Sequence, residues 1–127
     1  MDANLLLWVG QVVLALAFLT VGFGHAFSFD ATRARPRMDW MSAVGRSNMR
    51  AIGLLEILGA IGLIVPAATG ILPWLTPVAA ALLAVLMVLA AVFHLRRRGE
   101  APNAFFNFVL VVLASLVAYG RFVVAPF

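Results

Sequence analysis

The sequence predicts an all-α protein, a four-helix transmembrane bundle with antiparallel up-down helices, in which residues 1–127 form a single membrane domain. Two observations support this prediction. Of the 127 residues, 65% are apolar and only 11% are charged, whereas soluble domains are closer to half apolar and a quarter charged. The apolar residues also fall into four runs, each near the roughly 20 residues that a helix needs to cross a bilayer. In lipid, a helix satisfies every backbone polar group of an open chain.

The four predicted spans cover residues 5–29, 50–68, 74–95 and 104–124. No basic residues precede the first span, and it is longer than the core of a signal peptide, so we expect it to be retained. Pro66 and the following TGILP stretch predict a tight, uncharged turn between the second and third spans. Pro77 falls in the first turn of the third span, where proline is tolerated. The short RRRGEAPN link then makes the third and fourth spans antiparallel neighbours.

The first connection, residues 30–49, interleaves apolar and charged residues after Pro36. The apolar ones are Met38, Trp40, Met41 and Val44. This pattern fits a short helix lying at the level of the lipid headgroups. It fits equally well an irregular basic loop with one anchoring tryptophan.

The net charge of +4 comes from nine arginines without any lysine. Eight of the arginines flank the first and third connections, and Arg121 lies within the fourth span. Because basic connections stay in the cytoplasm, we expect both termini outside and a multi-pass location in the bacterial cytoplasmic (inner) membrane. The charges flank apolar spans and do not cover a water-exposed face, so nucleic-acid binding is not predicted. The chain has no cysteine, which excludes disulfides and thiolate metal sites.

Polar residues within the spans recur on the helix faces that carry small residues, as they do at helix–helix interfaces in lipid. Four of them lie within roughly 10 Å of the cytoplasmic boundary at 1.5 Å per residue. They are His25, Glu56, His94 and Asn107, one from each span. We expect them to form a ligand-binding site or a proton relay, with no metal. Intramembrane ionisable groups usually face a cavity or one another.

A smaller polar group lies near the outer boundary and consists of Gln11, Tyr119 and Arg121. Simpler roles remain open for both groups. Glu56 and Asn107 would then be hydrogen-bonding groups between helices. The histidines would be packing or boundary residues, and Tyr119 and Arg121 boundary anchors.

Over residues 5–124 the chain resembles the DoxX-like family of small four-helix bacterial membrane proteins. The resemblance rests on three segments in order, IGLLEILGAIGLIVP, TGILPWLTPVAAALLAVLMVLAAVFHLRRRGE and NFVLVVLASLVAYGRF. The positions that match the polar and breaker positions of the family are Arg50, Glu56, Pro66, His94, Glu100, Asn107 and Arg121. His25 stands where many relatives carry a lysine. The resemblance implies a four-helix bundle, and the wider family includes membrane subunits of a thiosulfate:quinone oxidoreductase and partners of oxidative-stress complexes.

The first functional hypothesis is therefore a non-catalytic or redox-linked membrane subunit whose pocket binds a quinone or another lipophilic small molecule. His25, Glu56 and His94 would relay protons, and Asn107 would hydrogen-bond a carbonyl group. The chain encodes no electron carrier, so electrons would come from a partner protein. A free-standing enzyme is not predicted, because no nucleophile–base pair or phosphate-binding loop is present.

Three alternatives remain open. The protein could be an assembly protein that binds a lipid or the transmembrane helix of a partner. It could be a small proton-coupled transporter, which would have to form a homo-oligomer because the chain has no inverted repeat. Least favoured is a bundle that binds b-type haem through His25 and His94, although histidine is a common axial ligand.

Overall fold

The computed structural model describes residues 2–127 and contains six α-helices and one π-helical segment in that range. The helices are α1 (Ala3–Phe27), α2 (Phe29–Arg33), α3 (Met41–Val44), α4 (Arg46–Thr69), α5 (Leu75–Leu95) and α6 (Ala101–Tyr119), which continues into the π-helical turn Gly120–Val124. Within the described residues, four helical segments are long and apolar enough to cross a membrane: α1, α4, α5, and α6 with the π-helical turn. The predicted all-helical, four-span fold is confirmed.

The two ends of the bundle differ in charge. The connection between α1 and α4, which includes α2 and α3, lies at one end together with the link between α5 and α6. Eight arginines flank these two connections, so we call this the basic end. The turn between α4 and α5 and the C-terminal residues lie at the other end, which we call the terminal end.

Glycines in left-handed conformations set several helix boundaries. Gly45, with φ of 94°, precedes α4, which therefore begins at Arg46, about one turn before the predicted start at residue 50. Gly70, with φ of 71°, ends α4, whereas Pro66 lies within the helix. Without a Cβ atom, glycine adopts these angles at little cost, so it ends the helix where proline does not.

The four long helices pack as two close pairs, α1 with α4 and α5 with α6. The first pair crosses at two facing glycines. A Cβ atom on Gly53 would lie 2.5 Å from the carbonyl oxygen of Gly22, and one on Gly22 would lie 2.8 Å from that of Gly53. Because both residues are glycines, the backbones touch at this level. His25 and Glu56 each lie three residues after the crossing glycine of their own helix, on opposite sides of the crossing because the helices are antiparallel, and their side chains meet across it.

Apolar side chains pack in two buried clusters. The larger fills the bundle between the helices and includes Leu14, Phe18 and Leu63. The smaller lies beneath the α1–α4 connection and contains Phe29, Met41 and Met49. Met41 is therefore fully buried against α4 and does not face the lipid headgroups.

Candidate functional site

The innermost polar contact of the site joins α1 to α4. Nδ1 of His25 lies 2.7 Å from Oε1 of Glu56, and both side chains are buried, with Glu56 only 1% exposed. An ionised carboxylate away from water needs such a partner, because the cost of burying a charge is otherwise large. When Glu56 is ionised, the imidazole donates its Nδ1 hydrogen, and Nε2 is left as the second polar atom of the ring.

The four residues predicted at the basic end all line one cavity of about 630 Å³. They are His25, Glu56, His94 and Asn107. The cavity lies among the four long helices and is covered by the α1–α4 connection, from which Met38 and Trp40 contribute to its wall. We call it the imidazole cavity. Most of the remaining wall is apolar, and Leu86, Phe93 and Phe106 are examples.

Of the candidate partners of Glu56, only His25 bonds it within the described residues. Asn107 is buried and lines the cavity, but its amide makes no hydrogen bond there to Glu56 or to either imidazole. His94 pairs with a different carboxylate. The four predicted residues therefore share one cavity but do not form one hydrogen-bonded group.

His94 belongs to a second acid–imidazole pair, at the rim of the bundle. Its Nδ1 lies 2.7 Å from Oε1 of Glu100, and Nε of Arg97 donates to Oε2 of the same carboxylate at 2.6 Å. Burial raises the pKa of Glu100, but hydrogen bonds and positive charge from Arg97 and His94 outweigh burial and hold the pKa below its ordinary value. Glu100 is thus an anchored carboxylate between the water-facing arginines and the cavity wall.

Trp40 links the two acid–imidazole pairs. The centroid of its ring lies 5.8 Å from that of His25 and 4.7 Å from that of His94, and both contacts are edge-to-face. The segment that carries Trp40 is tied to α6, because Nδ2 of Asn103 donates to the carbonyl oxygen of Arg37 at 3.0 Å. Arg37 adopts a positive φ of 64° at this contact.

Three residues that line the imidazole cavity each carry a buried polar atom that has no hydrogen-bond partner among residues 2–127. The atoms are Nε2 of His25, Nε1 of Trp40 and Oδ1 of Asn103. Buried polar atoms without a partner are rare in folded proteins, since each one forgoes its hydrogen bond to water. All three belong to residues that line the same cavity, and a small rotation of each side chain would bring its polar atom to a bound group.

Sequence reasoning did not assign Trp40, Glu100 or Asn103 to the site. Glu100 stood out only as a position that matches the resembled family, and Trp40 only as an anchor of the first connection. All three lie outside the predicted spans, and Asn103 comes one residue before the fourth. The helical periodicity that located the other residues therefore does not apply to them. A usable signal was that Trp40 and Glu100 belong to the connections at the same end as His25 and His94.

At the terminal end, Arg121 and Gln11 meet in the interior. Nε of Arg121 donates to Oε1 of Gln11 at 2.7 Å, and Nε2 of Gln11 donates to the carbonyl oxygen of Leu63 at 2.7 Å. Nη1 of Arg121 also donates to Oδ1 of Asn4 at 2.8 Å. This network ties α1, α4 and the π-helical turn together. Tyr119 is 61% exposed and takes no part in it.

Two observations bear on whether the donor set could hold a metal ion or a bis-histidine haem. Within residues 2–127, no group of three or more His, Cys, Asp or Glu side chains is arranged to hold a metal. For haem, each imidazole would have to present Nε2 to the iron, but the indole of Trp40 packs against both rings.

Comparison with known proteins identifies a family. The model of the family described as the DoxX-like family matches residues 9–117, which is nearly the whole chain. None of the curated proteins and none of the solved structures matches it.

Proposed function

The chain belongs to the DoxX-like family of membrane proteins, and from this and the geometry of the cavity we propose that it binds a lipophilic small molecule with a polar head group. Quinones are the class that we favour. The observation that carries the proposal is that three residues of a mostly apolar cavity wall each have a buried polar atom without a hydrogen-bond partner. Apolar walls with a few well-placed polar groups are typical of small-molecule sites, and about 630 Å³ lies within their usual range.

The unpartnered atoms restrict the chemistry of the head group. Nε1 of Trp40 can only donate, and Oδ1 of Asn103 can only accept. Nε2 of His25 accepts in the neutral ring and donates in the imidazolium. A head group that carries carbonyl oxygens satisfies Trp40 and protonated His25. Its reduced form, which carries hydroxyl groups, also satisfies Asn103. A quinone and its quinol are such a pair, and a purely apolar ligand satisfies none of the three atoms.

In this proposal the residues of the chain bind the head group and donate protons to it or accept protons from it. Glu56 accepts the hydrogen bond from Nδ1 of His25 and orients the ring, which leaves Nε2 as the atom that meets the head group. Glu100 and His94 offer a hydrogen-bonded acid–imidazole pair at the rim. Reduction of a quinone to a quinol takes up two protons and two electrons. The electrons would come from a partner protein with a flavin or iron–sulfur centre, which makes this chain a membrane subunit.

Fluorescence of Trp40 tests the proposal. The chain has three tryptophans, so replacing Trp8 and Trp74 by phenylalanine leaves Trp40 as the single reporter in nanodiscs. We expect short-tailed ubiquinone or menadione to quench this emission saturably. We expect His25→Ala to weaken binding about tenfold, because the loss of one hydrogen bond costs about 1.4 kcal/mol.

A matched control for His25→Ala is Thr20→Ala, since Thr20 lies on the same helix but is exposed and bonds only its own backbone. Thr20→Ala should leave the affinity unchanged. Quenching by both quinones that rises without saturation, and that is the same in the wild type and in His25→Ala, would reflect partition into the bilayer alone and would contradict the proposal.

A further inference from the structure

We propose that the ligand is a long-tailed lipid, with its head group in the imidazole cavity and its tail in a groove along α4 and α5. This inference rests on the proposed function and names the ligand class more narrowly, as a quinone with a prenyl or other extended hydrocarbon tail.

The groove is a second cavity, of about 610 Å³, on the outer side of the contact between α4 and α5. Its wall is formed by residues of α4 from Leu55 to Pro66 and residues of α5 from Leu75 to Leu89. All of the side chains that line it are apolar or belong to glycine or proline. We call it the α4–α5 groove. A wall without polar side chains favours a hydrocarbon chain and provides no side-chain hydrogen-bond partner for a polar head group.

The groove adjoins the imidazole cavity. Leu86 and Leu89 line both, so the two cavities meet at these side chains, and in this proposal the tail passes over them into the groove. Along α5 the groove extends from Leu89 to Leu75, which is about 21 Å at 1.5 Å per residue. A ligand lying in both cavities would therefore have its polar head at the basic end and a tail that reaches towards the terminal end.

The dimensions of the groove favour a chain over the helix of a partner protein. A volume of about 610 Å³ spread over about 21 Å gives a mean cross-section of about 30 Å². A helix about 10 Å across is much wider than a single hydrocarbon chain, so a slot this narrow suits the chain better. The rim residues Leu58, Leu82 and Val85 are more than half exposed, so the groove is open to the acyl chains of the bilayer along its length.

The glycines of α4 do not provide an alternative docking surface for a helix. A Cβ atom on Gly59 would collide with Leu83, and one on Gly62 would lie 2.8 Å from Cβ of Ala79. Both glycines are therefore already used to pack α4 against α5, and what remains open beside them is the apolar slot.

Photolabelling tests where the tail lies. The probe is a ubiquinone analogue with an extended tail that carries a diazirine near its middle, added to the full-length protein in nanodiscs. We expect crosslinks on residues 55–66 and 75–89, and we expect an excess of short-tailed ubiquinone to suppress them at least threefold by occupying the head-group site. Val85→Phe, which narrows the groove, should reduce labelling by a similar factor. Val88→Phe is the matched control, because Val88 is exposed on the same helix but lines neither cavity.

The outcomes separate this inference from the proposed function. Labelling spread evenly over the lipid-facing surfaces of all four spans, together with saturable quenching of Trp40 by a short-tailed quinone, would overturn the tail site and leave the head-group site standing. Groove labelling that short-tailed ubiquinone does not suppress would mean that an ordinary bilayer chain occupies the groove, and would also overturn the inference. If Trp40 showed no saturable quenching, both would fail.

Discussion

Within the site, the buried contact between His25 and Glu56 is where an ionisable group depends most on a single hydrogen-bond partner. A single carboxylate in the middle of an apolar helix would be costly to keep ionised, and the imidazole 2.7 Å away provides the compensating hydrogen bond. Removing one partner of a buried pair usually lowers stability more than replacing both partners by apolar groups, since the remaining partner is then buried without a hydrogen bond.

Stability measurements on a mutant cycle test this contact. We expect His25→Leu to lower the free energy of unfolding by about 1–3 kcal/mol, because Glu56 is left buried without its partner. Adding Glu56→Leu should recover part of that loss. Denaturation in detergent micelles gives the values, and strictly additive effects of the two substitutions would show that the side chains do not interact.

Glu100 makes stability depend on pH at the rim of the bundle. Its pKa is lower in the folded protein than the ordinary value of 4.5, so the unfolded chain binds the proton more readily. The contribution of Glu100 to the free energy of unfolding is therefore fully present above pH 4.5. It is lost as the pH falls through the lower, folded-state pKa. We expect the melting temperature to fall in that acidic window, and Glu100→Gln to remove this part of the fall.

The control for Glu100 is Asp39→Asn, which changes an exposed acid of the α1–α4 connection. Melting curves between pH 3 and 7 should be nearly superimposable for this variant and the wild type. If Glu100→Gln also left the acid-induced loss of stability unchanged, the ion pairs of Glu100 with His94 and Arg97 would not contribute.

At the scale of helices, the crossing of α1 and α4 decides which side chains meet. Hydropathy alone predicted the four spans, because lipid requires long apolar helices, and helical phase predicted that the polar residues would share a cavity. The helical phase does not determine which of His25, His94 and Asn107 forms a hydrogen bond with Glu56. That choice depends on the rotation of each helix, which the glycine contact fixes. Trp40 was not predicted in the site because a connection has no periodicity from which its path can be derived.

Substitution at the crossing tests its role. We expect Gly53→Ala to destabilise the bundle by about 1–3 kcal/mol, because the added Cβ forces the backbones of α1 and α4 apart. Gly10→Ala is the control, since its Cβ would meet only a side-chain methyl group of Val117 at 3.1 Å. Thermal unfolding in detergent compares the two variants. Equal melting temperatures would show that the close approach of the backbones is not required.

In the whole molecule, the two ends of the bundle have different roles. At the terminal end, Arg121 and Gln11 join α1 to the end of the chain through buried hydrogen bonds. At the basic end, the helices surround the imidazole cavity and the α1–α4 connection covers it. Buried hydrogen bonds thus hold the helices together at the terminal end, and the cavity lies at the basic end. This arrangement suits a binding protein whose ligand enters from the bilayer.

The structural role of the hydrogen bonds at the terminal end can be tested separately from the imidazole cavity. We expect Arg121→Lys to lower the free energy of unfolding by about 1–3 kcal/mol, because an ammonium group cannot reproduce the several directed N–H donors of the guanidinium. Tyr119→Phe, two residues away and exposed, should have little effect. Chemical denaturation measures both variants, and equal stabilities would contradict a structural role for the arginine network.

Native mass spectrometry of the protein released from nanodiscs tests most directly whether the imidazole cavity binds a ligand. The proposal predicts one bound quinone per chain in the wild type and a clear loss of that species in Trp40→Phe, which removes the indole N–H and keeps an aromatic ring. The absence of any bound quinone, or equal retention by the wild type and Trp40→Phe, would contradict a head-group site at Trp40.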